Sequence, residues 1–329
     1  MTLSALRQGW LLLVLLLGAT LACSLSSQEE PATLPPPPVV STPVQTNTAV
    51  LPATVTVDAS GQPPTGQTPT LAATVTIAAG VTAGPTVSVN TEAEYRVIHV
   101  EENDILNVRS GPGASNAVVT GLPPGTRGVR IVGFGQNVDG SLWVPINAGT
   151  VSGWVNSRFL TEQVESELFC NDSEPRALIE SLKTAVSQRS GQALGGLSDL
   201  DRGLRVRRHW NSEGVRFENE HIPNLFGSPT SYFWGVADGS GQDINGTFNE
   251  VILPLLDRDL LPATELGCNE ILHGGTTGLV QLPARYEGAN YFSLYRPGNE
   301  QDWGTWVVGI ERWQGEYFVS FLVHYQWEI

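Results

Sequence analysis

Basic side chains are scarce in this 329-residue chain: 18 Lys and Arg stand against 33 Asp and Glu, a formal net charge of −15. The excess is concentrated in residues 163–329, with 23 acidic and 12 basic side chains, whereas residues 93–162 carry 6 and 5. Nucleic-acid binding draws its affinity from a basic face that neutralises phosphates, so that partner class is excluded. Cysteine is also rare, with Cys23, Cys170 and Cys268 alone. No C-x-x-C or paired Cys/His spacing occurs, so no metal site is expected. The chain lacks a Gly-x-Ser-x-Gly elbow, a His-Glu-x-x-His helix and a phosphate-binding loop, and so implies no catalytic residue and no cofactor. No apolar run reaches the roughly 18–20 residues that span a bilayer. Between residues 24 and 92 there is no Lys, Arg or aromatic side chain, while 11 of the 22 prolines fall there. Such a stretch cannot bury enough apolar surface to offset its ordering entropy.

What is present at the N-terminus has the order of an export signal. Arg7 is followed by the apolar run Trp10 to Leu17 and then by small residues. The end of that stretch, Ala19-Thr20-Leu21-Ala22-Cys23, resembles the bacterial lipobox, with Thr20 where Leu is usual. The resemblance implies that residues 1–22 are removed, that Cys23 is acylated, and that the chain is held at a membrane of the cell envelope. The alternative is a plain signal-cleavage site beside an ordinary Cys23 thiol. Residues 23–92 then read as a disordered tether, with a coil dimension near ~45 Å and ~200 Å if extended as polyproline II. If Cys23 carries lipid, Cys170 and Cys268 remain as an even pair in an exported protein, where a disulfide between them is expected and two buried free thiols are the alternative.

From residue 93 to 162 the pattern turns to short β-rich runs separated by Gly and Pro. Tyr95 to Val100, Leu106 to Arg109, Val118 to Leu122, Thr126 to Val132, Leu142 to Ile146 and Gly153 to Val155 read as strands of a small barrel. Alternation sends Leu106 and Val108 to one face. Leu106-Asn-Val-Arg-Ser-Gly-Pro-Gly113, Leu122-Pro-Pro-Gly-Thr126, Trp143-Val144 and Gly153-Trp-Val155 followed by Phe159-Leu160 together resemble the bacterial SH3-like domain. That resemblance implies a non-catalytic binding module directed to cell-wall or peptide ligands. Asn103, Asp104 and Asn137, in the loops at 101–105 and 136–141, are candidate contacts, since loops carry most variation. Arg109, Trp143 and Trp154 are candidates too, although in a barrel this small both tryptophans fit core or half-buried packing better.

Residues 163–329 read as an α+β domain with a curled antiparallel sheet, for which a cystatin-like cone is an analogy of architecture alone. Ser173 and Pro175 open a helix whose inner face carries Leu178, Leu182, Ala185 and Val186. Thr247 and Glu250 form a capping box, with Pro254 shortening the helix that follows. Leu204 to Trp210 and Val215 to Phe217 form a hairpin, and Cys268 to His273, Tyr291 to Arg296 and Gly304 to Arg312 add strands. A Gln314-Gly315 turn leads into a last strand that alternates from Tyr317 to Trp327. Its even-numbered residues, His324 among them, are expected on the polar face. Were this domain a hydrolase targeted by the barrel, Trp234, Asp238 and His324 would be the residues to seek in its pocket. Asp238 opens a glycine-rich turn that lacks the Gly and Glu a calcium loop requires.

Overall fold

β-Branched and aromatic residues alternating with polar ones, interrupted by glycine turns, dictate the strands of the described residues. The computed structural model describes residues 86–275 and 282–327, all within the unit Thr76–Ile329. The expected signal, the acylated Cys23 and the tether as far as residue 85 lie outside the described residues. No helix among the described residues is long and apolar enough to cross a membrane.

Nine strands build the first layer: β1 (Thr86–Val87), β2 (Glu94–Val97), β3 (Leu106–Arg109), β4 (Val118–Leu122), β5 (Val129–Ile131), β6 (Gly135–Val138), β7 (Ser141–Ala148), β8 (Val151–Asn156) and β9 (Leu160–Glu162). Their order is β4-β3-β8-β7-β5-β2-β9, with β6 on β7 and β1 on β6. Leu106 and Val108 point into a single core with Tyr95, Val97, Val129, Ile131, Val144, Ile146 and Val155, as the period-2 pattern requires. Burying each such side chain contributes roughly 1.5–3 kcal/mol. β6 and β9 are strands that the sequence pattern did not resolve.

Beyond β9 the described residues form helices on one face of a six-stranded sheet. α1 (Ser166–Asn171), α2 (Ser173–Ser187) and α3 (Gly191–Gly195) come first. The strands are β10 (Leu204–Arg207), β11 (Gly214–Phe217), a separate hairpin of β12 (Tyr232–Val236) and β13 (Asp243–Gly246), then β14 (Glu265–Cys268), β15 (Asn290–Asn299), β16 (Asp302–Trp313) and β17 (Glu316–Gln326). The sheet order is β11-β10-β17-β16-β15-β14, and β10 runs parallel to β17, so the sheet is mixed and not wholly antiparallel as expected. Physically, β10 reaches β17 through a long connection, which frees it from the antiparallel geometry that a tight turn imposes. The strand expected at Cys268 to His273 is displaced to Glu265–Cys268.

Helix termini follow local chemistry. Asp172, rather than Ser173, caps α2 by accepting the Glu174 N–H at 2.9 Å, and Ile179 joins the buried face while Leu178 lies at its margin. Thr247 and Glu250 form the reciprocal capping box of α4 (Phe248–Val251). Pro254 sits in α5 (Leu253–Leu255), and the chain then loosens into a π-helical turn at Leu256–Leu260. A disulfide joins Cys170 at the end of α1 to Cys268 in β14, closing a separation of 98 residues.

β17 changes faces part-way along. Gly309 pairs with Phe321 and Ile310 with Val319, leaving Ser320 as the extra residue of a β-bulge. Before the bulge, Val319 faces the helices; after it Leu322 does, while Phe321, Val323 and Tyr325 join Tyr286, Trp303 and Val307 on the other side. The unbroken alternation expected for this strand is therefore corrected, because one unpaired residue reverses every side chain beyond it.

The two layers pack through buried polar groups. Arg202 donates to Glu311 Oε2 at 2.9 Å, and to the carbonyls of Leu160 at 2.5 Å and Ser157 at 2.9 Å, with its guanidinium 4.4 Å from the Trp313 ring centre. His99 Nε2 bonds the other oxygen of Glu311. Ile98 from the first layer enters the sheet's core, and Trp313 from β16 packs against Tyr95 with ring centres 5.5 Å apart. The end strand β9 is thus covered by Arg202 and by Arg312, whose N–H donates to Thr161 Oγ1 at 3.2 Å.

Candidate functional site

Where the layers meet, a cleft of about 1090 Å³ opens between the loop after β2 and the segment before β15. It is built from β2. Alternation in Tyr95-Arg96-Val97 puts Tyr95 and Val97 in the barrel core and turns Arg96 outward, where its Nη1 bonds the Gly288 carbonyl. Gly288 has φ +72°, and a Cβ there would enter the Arg96 guanidinium, so glycine lets this backbone lie flat against the arginine. At His99 the chain takes a left-handed conformation, φ +64°, and its N–H donates to the Arg285 carbonyl at 2.8 Å. That turn carries Ile98 towards the sheet and delivers Glu101, Glu102 and Asn103 to the rim of the cleft.

The opposite wall is made by Arg207, Trp210, Asn290 and Tyr291. Arg207 is occupied, donating to the Ser212 carbonyl at 2.6 Å to close the β10–β11 hairpin. Glu101 is occupied too, bonded to Arg285 at 2.7 Å with Arg207 at 3.9 Å. Arg96 is 7% exposed, and its pKa is lowered by burial first and by the neighbouring Arg127 second. Arg127 is exposed on the barrel rim. Among the described residues, neither Arg96 nor Arg127 has an ion-pair partner. Half-buried Trp210 and Tyr291 supply aromatic surface beside these charges.

Of the residues proposed from sequence as barrel contacts, the structure brings Asn103 alone into this cleft. Asp104 is exposed in the same loop, its Oδ1 accepting the Ile105 N–H at 2.8 Å. Arg109 pins the 110–117 turn, donating to the Asn116 carbonyl at 2.7 Å. Asn137 is exposed on β6, Trp143 is buried at 7% exposure, and Trp154 is half-buried opposite Arg109. The cleft's arginines went unread, although a charged residue inside the apolar run from Tyr95 to Val100 was a signal that could have marked Arg96.

The three pocket candidates of the second layer do not converge. Trp234 is fully buried, donating Nε1–H to the Gly246 carbonyl at 2.9 Å, and Asp238 is exposed in the β12–β13 turn. His324 is also fully buried, and its partner is Asp259, with Nε2 2.7 Å from Oδ2. Asp259 further accepts from Arg258 at 2.7 Å and Arg296 at 2.8 Å. Burial alone would raise the Asp259 carboxyl, but His324 and the two arginines hold it below the usual carboxylate range. This cluster fastens the π-helical turn to the sheet. His324 faces the helix side because the bulge at Ser320 turns it there, which corrects its placement on a polar face.

Residues 104–161 match the family model of the bacterial SH3 domain, a stretch that runs from the β2–β3 loop into β9. No curated protein and no solved structure matches the chain. The helices and mixed sheet that follow have no family match, and the chain is one that carries a bacterial SH3-like domain packed against a second layer.

Proposed function

We propose that this chain is an exported, lipid-anchored binding protein that presents its SH3-like domain to cell-wall or peptide ligands and performs no catalysis of its own. The observation that carries this reading is the SH3-domain match over residues 104–161 beside an open cleft of about 1090 Å³. The lipobox-like Ala22-Cys23 ending supports the anchor, and the acidic balance of the chain fits partners other than nucleic acid. A hydrolase reading lacks a comparable support, since Trp234, Asp238 and His324 lie apart and two of them are buried.

Sedimentation of the intact chain with purified bacterial cell walls tests the proposal. Retention that saturates with protein concentration, without release of soluble wall fragments, is expected. Failure to co-sediment would overturn the cell-wall role, and release of fragments would replace binding with the hydrolase. Mass spectrometry of the native product is expected to find diacylglycerol on Cys23; an unmodified residue there would remove the anchor.

A further inference from the structure

We propose that the second layer carries a site for a small organic cation, a quaternary ammonium or a methylated amine, in the open groove at the Trp303 end of the mixed sheet. The site goes beyond the binding role assigned to the barrel and does not depend on it. The groove has a volume of about 470 Å³, and its side chains come from His273, Tyr295, Asn299, Glu300, Trp303 and Trp327. Strand register gathers the aromatic ones. β16 pairs with β17 as far as Gly304 with Gln326, so the next step outward sets Trp303 opposite Trp327, and both join one apolar cluster. Tyr295 pairs with Thr305, whose Oγ1 donates to the His273 carbonyl at 2.6 Å and fastens that residue beside them. The His273 ring centre lies 4.1 Å from Trp303 and 5.3 Å from Tyr295, with the planes at 78° and 47°. Trp303 is buried, whereas His273, Tyr295 and Trp327 are half-buried. Rings inclined so steeply bound a concave wall and not one flat platform. That shape fits a compact, near-spherical group better than the flat face of a sugar.

The charges of the groove favour a cation. Glu300 is exposed at the tip of the β15–β16 hairpin and has no ion-pair or hydrogen-bond partner among the described residues. Asn299 Oδ1 accepts the Gln301 N–H at 3.0 Å, which fixes the turn that carries it. No Lys or Arg among the described residues lines the groove. Nearby Arg296 is already bonded to Asp259 at 2.8 Å and to Asp302 at 2.9 Å, so its charge is spent on them. Aromatic rings attract a cation through their quadrupole, and a carboxylate without a counter-ion adds to that attraction.

The test titrates the intact chain, followed by NMR, with three probes: choline, its uncharged carbon isostere 3,3-dimethylbutan-1-ol, and glucose. Choline is expected to bind saturably, and the isostere, which keeps the shape without the charge, at least about tenfold more weakly. Glu300→Gln, at an exposed turn where folding is not at stake, is expected to weaken choline about threefold and leave the isostere unchanged. Trp327→Ala is expected to weaken choline about tenfold, with Trp327→Phe intermediate because it keeps a ring. Equal binding of choline and the isostere, tighter binding of glucose than of choline, no saturable binding of choline, or undiminished choline binding in the Glu300→Gln chain would each overturn the proposal.

Discussion

Glu311 sits where a charge costs most, fully enclosed between the layers, and is kept ionised by its neighbours. Burial alone would raise its pKa from 4.5, but His99 and Arg202 outweigh that effect and bring it down to about 2. The folded state therefore binds fewer protons than the unfolded state between those values. Stability from this group is complete above about pH 4.5 and is lost as the pH falls towards 2, by about 3 kcal/mol. His99 and His324 act in the same direction at higher pH, because burial lowers both pKa values from 6.5 and the unfolded chain takes up protons first. Urea midpoints measured from pH 8 to pH 3 are thus expected to be flat above about pH 7 and to decline steadily below it; a midpoint that rises on acidification contradicts these assignments. Glu311→Ala, which strands Arg202, is expected to cost about 3–5 kcal/mol at neutral pH in the same assay.

Elements in this fold depend on close approaches that single substitutions expose. Phe321 lies over Gly309 in the neighbouring strand and stacks on Tyr286 with ring centres 3.8 Å apart. A methyl group at residue 309 would enter the Phe321 ring, so Gly309→Ala is expected to destabilise by about 1–3 kcal/mol in urea unfolding. Gly304 has the same role for Asp259, whose carboxylate occupies the space of a Cβ. The bridge from α1 to β14 closes a loop of about 98 residues, for which chain entropy gives at most ~4.7 kcal/mol. Reduction with dithiothreitol is expected to lower the urea midpoint without abolishing the far-ultraviolet circular dichroism of the sheets. An unchanged midpoint would mean that the crosslink contributes nothing to stability.

Across the whole described unit, the SH3-like layer and the mixed sheet share their cores. Ile98 is buried in the sheet cluster, Trp313 packs on the barrel cluster, and Arg202 satisfies two carbonyls at the end of the barrel. Separating the layers would break the His99–Glu311 bond and take the Leu160 and Ser157 carbonyls from Arg202, and would expose Ile98 to water at a cost of about 1.5–3 kcal/mol. One cooperative transition is expected in calorimetry of the intact chain, and residues 93–162 expressed alone are expected to melt at lower temperature. Two resolved transitions, with the isolated barrel matching one of them, would show that the layers are independent.

Local signals were legible without coordinates. Leu106 and Val108 alternate inward, Thr247 and Glu250 cap a helix, and Gln314-Gly315 turns the β16–β17 hairpin, because each rests on residues a few positions apart. The SH3-like pattern was equally visible, since its glycine turns and tryptophans recur in order along one short stretch. Pairings across long separations were not. His324 meets Asp259 from 65 residues away, His99 meets Glu311 from 212, and the Arg96 side chain reaches Gly288 from 192. One extra residue at Ser320 decides which face His324 takes, and no periodicity announces it. Sequence by itself determined the class of layers and their turns, through steric preferences that act locally. The tertiary structure alone decided the cleft, because its charges are brought together by packing between distant strands.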